Sequence, residues 1–444
     1  MIPALVIVAT LLHFFFSYKR PAWGLCSLLS IKILIPDSVR FPIGNLSLNT
    51  ACGLILFVCW FIKGGIFQNQ RVNRLSLFLM CFICFLASIM LVTADVVPVS
   101  AQFKPFFAYV VLQLLPIIVM IESVKTKEDV ELLVKCFAIS TTICVVYSVV
   151  CFVGGLTYPY NAMVNDVYPG RDMNIESVLE QEMGGIAGRC MGTATSGTWD
   201  YGMVVASLFL IVGSLAVILK SKPLYWLWVL TGVDVLCTTR RSPIIAAMFF
   251  LLIIFLFGGK NGFFKKILYV ILGGGVISAS VFIFPQLAEF RSIIETCLFF
   301  WDDGVAAMND VSGSSLDFRL YQLKHTVMYV EDNPFFGNGW GSCFYNSRYP
   351  NMIGWESIVF TTLMQFGYVG SFLWLLLFCN FYIYSRKSGQ RLVCFAFMAA
   401  SLAFCVLNDT IYPFYIYFGA VLIPKLRLLH GKKSNVFCNK HVIY

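Results

Sequence analysis

Apolar residues come in long runs along this chain, and polar residues are gathered in the stretches between them. About thirteen runs are read as membrane-spanning helices: 1–17, 21–35, 46–62, 75–93, 105–122, 136–154, 200–219, 223–238, 243–259, 267–284, 356–384, 392–408 and 412–424. The first two and the last are the weakest, so twelve spans fit as well. The opening run, Ile2–Phe16, has no basic segment before it and no A-x-A-like cleavage site. It is expected to be a first span rather than a removed signal. Two connectors are much longer than the rest, 155–199 and 285–355. In the second, Ser314-Ser315 can cap a helix, and Leu316, Leu320, Leu323, Val327 and Val330 recur at helical spacing. That helix carries Arg319, Tyr321 and His325 off its apolar stripe, and Asn333-Pro334 ends it. Gly337-Asn338-Gly339-Trp340-Gly341 then predicts a tight turn. No repeat relates the two halves, which counts against an inverted-repeat transporter.

Composition agrees with the pattern. The 444 residues are 59% hydrophobic and 12% charged, against about 25% charged in soluble domains. The expectation is one all-α polytopic membrane domain over 1–444 with about 12–13 transmembrane helices. Charge then sets its orientation. One arrangement places 21 of the 32 basic residues and 4 of the 23 acids on the inner side, 21 − 4 = +17. The outer side receives ten basic residues and eighteen acids, 10 − 18 = −8, with Lys32 and Asp234 left in spans. Basic residues flank spans on the cytoplasmic side, so both long connectors are outer loops, and the net charge of +9 is a topology signal rather than a nucleic-acid footprint. Most of the sixteen cysteines lie in apolar runs, where Cys is a small hydrophobe. Cys190, Cys297 and Cys343 fall in outer loops and leave a disulfide open. The only CxxC spacing, Cys81-Phe82-Ile83-Cys84, lies inside an apolar run, and the chain contains no P-loop, HExxH or GxSxG.

Candidate chemistry concentrates on the outer side. Arg240 and Arg241 occupy a short connector there, against the usual charge rule. Snorkelling anchors are one reading; a bidentate fork for an anion is the other, and the placement favours it. Asp234 lies deeper on the preceding span, seven residues before Arg241 and on the same helical face. It either acts directly or orients an arginine. Arg189, among small residues, and Lys104, before Pro105, could join the cations, as could Arg319. Solvated loop charge and interfacial anchoring are the plain alternatives. For a proton acceptor the choices are His325 and Glu356. Trp199, Trp301, Trp340, Trp355 and Tyr345 either stack on sugars or form an interfacial belt.

Three stretches together resemble the O-antigen polymerase and O-antigen ligase superfamily of bacterial envelope glycosyltransferases. Arg189-Cys190-Met191-Gly192-Thr193 resembles its Arg-x-x-Gly segment before a span. Thr239-Arg240-Arg241-Ser242 resembles its Ser-Arg motif opening a span. Arg319, then Asn333–Gly341, then Gln365-Phe366-Gly367-Tyr368-Val369-Gly370 resemble its large outer loop and the following helix. The likeness covers about 185–375. It departs at one point. The ligase branch usually has a His-Asn pair where this chain reads Gly354-Trp355-Glu356-Ser357, which favours a polymerase-type enzyme.

The resemblance implies a metal-independent polysaccharide polymerase of the bacterial inner membrane, with its active site facing the periplasm or exterior. It would transfer glycan from an undecaprenyl-type polyprenyl diphosphate to a lipid-linked repeat unit, building O-antigen, capsule or exopolysaccharide. Arg189, Arg240, Arg241, Arg319 and Lys104 would hold the diphosphate. Glu356, His325 and Arg241 would act in catalysis, and Asp234 would orient. No cofactor is expected. Partners would be the lipid-linked oligosaccharide and membrane lipid, with a chain-length regulator as a further candidate and no nucleic acid. The rival readings are a ligase moving polymer to lipid A–core or protein, and a transporter of lipid-linked sugars.

Overall fold

A computed structural model describes residues 2–41, 46–65, 72–156, 158–168, 190–195, 198–238, 240–258, 266–267, 272, 316–342, 357–408 and 414–430. These residues form helices, with one isolated bridge between Arg40 and Ser47 and no strand among them. In chain order they are α1 (Ile2–Lys19), α2 (Pro21–Leu34), α3 (Leu48–Ile62), α4 (Arg74–Val92), α5 (Val99–Tyr109), α6 (Leu115–Ser123), α7 (Lys127–Val153), α8 (Pro159–Val167) and α9 (Thr198–Leu219). There follow α10 (Lys222–Cys237), α11 (Arg241–Phe257), α12 (Leu316–Val330), α13 (Ile358–Ser385), α14 (Arg391–Leu407), α15 (Phe414–Lys425) and α16 (Arg427–His430). Among the described residues, five stretches are long and apolar enough to cross a membrane unaided, and five shorter apolar helices accompany them. The chain is an all-α, multi-pass membrane protein. The expected span 267–284 lies almost wholly outside the described residues.

Local chemistry moves several boundaries from those the hydropathy pattern predicts. α7 begins at Lys127 rather than 136, because Thr126 and Asp129 form a capping box and start the helix in polar sequence. α5 begins at Val99, and a π-turn over Val110–Leu114 joins it to α6. Pro116 has no N–H for an α-type bond, and a change of register just before it accommodates the loss. The connector 155–199 contains a helix, α8, that the pattern did not predict.

Side-chain bonds define two ends of the bundle. At one, Arg20 pairs with Asp129 at 2.8 Å, and Lys63 Nζ donates to the Lys19 carbonyl at 3.1 Å. Lys425 Nζ caps α6 through the carbonyls of Ile121 (3.1 Å) and Val124 (2.6 Å). This is the basic end. At the other, Thr193 Oγ1 donates to the Ile33 carbonyl at 2.8 Å, Tyr160 OH to Leu34 at 3.0 Å and Tyr415 OH to Lys32 at 3.0 Å. Arg240, Arg241 and Arg319 belong to this second, arginine end. A continuous core of buried Leu, Ile, Val and Phe side chains runs between the two.

Candidate active site

α10 ends in Cys237 and α11 starts at Arg241, so the arginine pair is presented by a turn of three residues. Arg240 is the N-cap residue of α11 and Arg241 its first residue. Both charges therefore stand where the helix dipole is positive and the first amides point outward, and the first turn holds no acid. That combination attracts an anion. The Arg240 side chain lies over Gly202 of α9: a Cβ on Gly202 would meet Arg240 Cδ at 2.9 Å and Pro243 Cγ at 3.3 Å. Asp200, two residues before Gly202 on the same helix, sits in the electrostatic field of both Asp37 and Arg240.

Asp234 is fully buried. Its carboxylate accepts from Ser148 Oγ of α7 at 2.7 Å and from Tyr201 OH of α9 at 2.5 Å. A buried carboxylate needs such donors, and here they tie three helices together below the arginine turn. The same knot holds residues 190–195. Cys190 N donates to the Cys237 carbonyl at 3.3 Å, and Cys190 Sγ to that of Asp234 at 3.5 Å. Gly192 lies flat on the Tyr201 ring, where a Cβ would come within 2.1 Å of the ring. Asn161 Nδ2 of α8 donates to the carbonyls of Gly192 (3.0 Å) and Thr195 (2.9 Å). Burial pushes the Cys190 thiol well above its usual range, and the Asp234 charge adds to the effect. Cys190 is a free thiol. Arg189, next to this anchored segment, lies outside the described residues.

Arg319 reaches the same end from α12, donating to the Leu407 carbonyl at the end of α14 at 3.2 Å. α14 packs antiparallel on α11. A Cβ on Gly258, just past α11, would lie 3.6 Å from Leu392 at the start of α14. From there Arg241 is 258 − 241 = 17 residues back along α11, and Leu407 is 407 − 392 = 15 residues along α14. At 1.5 Å per residue these are rises of about 25 Å and 22 Å, so the two helix ends lie within one turn of each other in height. The structure thus brings Arg240, Arg241 and Arg319 to one level. The start of α13 joins them: Ile358 N donates to the Asn408 carbonyl at 2.9 Å. Glu356 stands two residues before Ile358 and lies outside the described residues.

The glycine turn packs against a kink in α13. Gly337 and Gly367 both have left-handed φ, +69° and +63°. Each occupies the space a side chain on the other would need, with a Cβ on Gly337 only 2.4 Å from Gly367 N. Four backbone bonds close the joint: Asn338 N to Met364 O, Gly339 N to Gln365 O, Tyr368 N to Pro334 O and Val369 N to Phe335 O, between 2.8 and 3.2 Å. Gln102 of α5 supplies a further anchor, accepting from Trp340 N at 2.9 Å. Lys104, exposed on the same helix, belongs to this corner, while Arg319 sits near the far end of α12. His325 lies between them, half-buried, its ring 4.2 Å from that of Tyr321 and 6.0 Å from that of Tyr329. Trp340 is buried against Phe366, with ring centroids 4.7 Å apart, and offers no face to a sugar. Among the described residues, no group of His, Cys, Asp and Glu side chains is placed to hold a metal.

Sequence reasoning did not single out Asp200, Gly202 or Gln102. Asp200 carried a signal, an acid opening an apolar run. The roles of Gly202 and Gln102 arise from contacts across helices, which one sequence does not display.

Residues 226–375 match a protein-family model described as O-Antigen ligase. The match spans the arginine turn, α12, the glycine turn and the α13 kink. It supports the O-antigen polymerase and ligase superfamily recognised in the sequence. No curated protein matches the chain.

Proposed function

We propose that this membrane protein transfers a glycan from a polyprenyl diphosphate carrier to a sugar hydroxyl of a second lipid-linked repeat unit, on the outer face of the bacterial inner membrane. The observation that supports the proposal is that Arg240 and Arg241, at the N-terminus of α11, and Arg319, bonded to the end of the neighbouring α14, lie at one height. In the transfer, a bond forms between the acceptor oxygen and the anomeric carbon. The bond from that carbon to the diphosphate breaks, and the diphosphate leaves with its electron pair. Guanidinium groups aimed at the diphosphate stabilise the charge as it develops. The acceptor proton passes to a carboxylate or imidazole; Glu356 and His325 are the candidates. Asp234 acts through the helix ends it fixes.

The family match gives a second reading, a ligase that moves polymer to lipid A–core or protein. Purified protein in nanodiscs, given lipid-linked repeat unit alone, distinguishes them. A polymerase makes longer lipid-linked glycan and releases polyprenyl diphosphate without any other acceptor. A ligase yields product only when lipid A–core or a protein acceptor is added. Movement of intact lipid-linked sugar between leaflets, with no new bond, would identify a transporter and overturn both.

A further inference from the structure

α12 buries the wrong face for an ordinary loop helix. Gln322, Thr326 and Val330, spaced four apart, are 1%, 0% and 1% exposed. The apolar residues Leu320, Leu323 and Val327 are 53%, 40% and 42% exposed. At 100° per residue, the exposed apolar stripe and the buried face point in directions roughly 90° apart. A helix lying beside a protein wall and above an apolar medium needs this arrangement, with one flank against the wall and the next facing down.

Its position supports that description. Arg319, near the start of α12, bonds Leu407, which is 407 − 391 = 16 residues, about 24 Å, above the basic end of α14. Near its other end, the Tyr329 carbonyl accepts from Asn338 Nδ2 at 2.9 Å, and Asn338 N bonds Met364 at 2.9 Å, three residues before the Gly367 kink. Gly367 is 385 − 367 = 18 residues, about 27 Å, above the basic end of α13. Both ends of α12 are therefore fastened at the same height, and the helix lies across the end of the bundle. The hydrocarbon core of a bilayer is about 30 Å thick, so this height is its boundary. The exposed stripe also continues into a lipid-facing one: Phe335 is 64% exposed, bonded through its carbonyl to Val369, and the neighbouring Tyr368 and Phe372 of α13 are 56% and 59% exposed.

We propose that α12 is an interfacial helix whose Leu320–Leu323–Val327 stripe rests on the acyl-chain boundary of the surrounding bilayer. This needs only a membrane-spanning protein, and it stands apart from the transfer reaction. Lys324, exposed beside the stripe, can reach lipid phosphates from there. The contact with lipid holds Arg319 at the depth of phosphate groups, where a membrane-anchored anion presents itself.

The test is photocrosslinking of the full chain in nanodiscs of phosphatidylethanolamine and phosphatidylglycerol. p-Benzoylphenylalanine replaces Leu320, Leu323, Val327 or, as a control on the opposite exposed side, Tyr321. Lipid adducts at the first three positions and background at Tyr321 are expected. Adducts of those three to peptides of this chain or of a second copy, or no adduct at any of them, would overturn the proposal. So would equal lipid labelling at Tyr321. Hydroxyl-radical footprinting of the unmodified protein in the same nanodiscs gives a reading free of any substitution. Tyr321 and Met328 should be oxidised and Leu320, Leu323 and Val327 protected; oxidation of that stripe would also overturn it.

Discussion

Arg240 rests on Gly202, with a space between them too small for a methyl group, since a Cβ there would lie 2.9 Å from Arg240 Cδ. The glycine thus sets where the guanidinium points. Gly202→Ala should displace the arginine and leave the fold intact, because the displaced group is a flexible side chain. The expected result is a fall in turnover of about tenfold, a loss of roughly 1.4 kcal/mol of transition-state stabilisation. Protein yield and melting temperature should stay near native, and assay of the purified variant beside a thermal scan checks both.

The glycine joint should respond differently. Gly337→Ala or Gly367→Ala places a Cβ against backbone, at 2.4 Å and 2.6 Å, in conformations that L residues adopt at a cost of about 1–3 kcal/mol. Backbone cannot move aside as a side chain can. Either variant should lower the melting temperature measurably, and activity should fall with the folded fraction. A native melting temperature would mean that the joint is looser than described.

Tyr201→Phe and Asp234→Ala probe the buried knot. The first removes one donor from a buried carboxylate, at a cost of about 1–3 kcal/mol. The second also frees Ser148 and Tyr201 from their partner and leaves a void, so it should cost more. Chemical denaturation in detergent measures the order. Equal stability for all three proteins would show that Asp234 does not tie α7, α9 and α10 together.

Cys190 supplies a pH-dependent readout. Burial raises its pKa well above the ordinary thiol range, and only the thiolate is reactive. Maleimide should fail to label Cys190 in the folded protein at pH 7 and pH 9, and should label it after denaturation. Labelling of the folded protein at pH 9 would place residues 190–195 on the surface.

The sequence showed the membrane helices because a run of apolar residues is a local property. It also showed α12 and the turn after it, from spacing and from Asn333-Pro334. The buried face of α12 was not legible: Leu320, Leu323 and Val327 have the periodicity of a core stripe, yet lie exposed. Periodicity marks an apolar face without saying whether protein or lipid covers it. Ser148, Tyr201 and Asp234 are separated by 53 and 33 residues, and their meeting depends on helix packing. Arg189 and Glu356, prominent in the sequence, lie outside the described residues.

The central claim is that Arg240, Arg241 and Arg319 together hold the diphosphate of a lipid-linked glycan. Its most direct measurement is the single-turnover rate of glycan transfer by purified protein in nanodiscs, for Arg240→Ala, Arg241→Ala and Arg319→Ala and for the matching Arg→Lys variants. Losing a contact made to developing charge costs about 3 kcal/mol, on the order of a hundredfold in rate. Lysine should restore little where the native contact is bidentate. The account predicts at least one such collapse at the α11 N-terminus and another at Arg319, in proteins with native melting temperatures. Native transfer rates in all three Arg→Ala variants would contradict it.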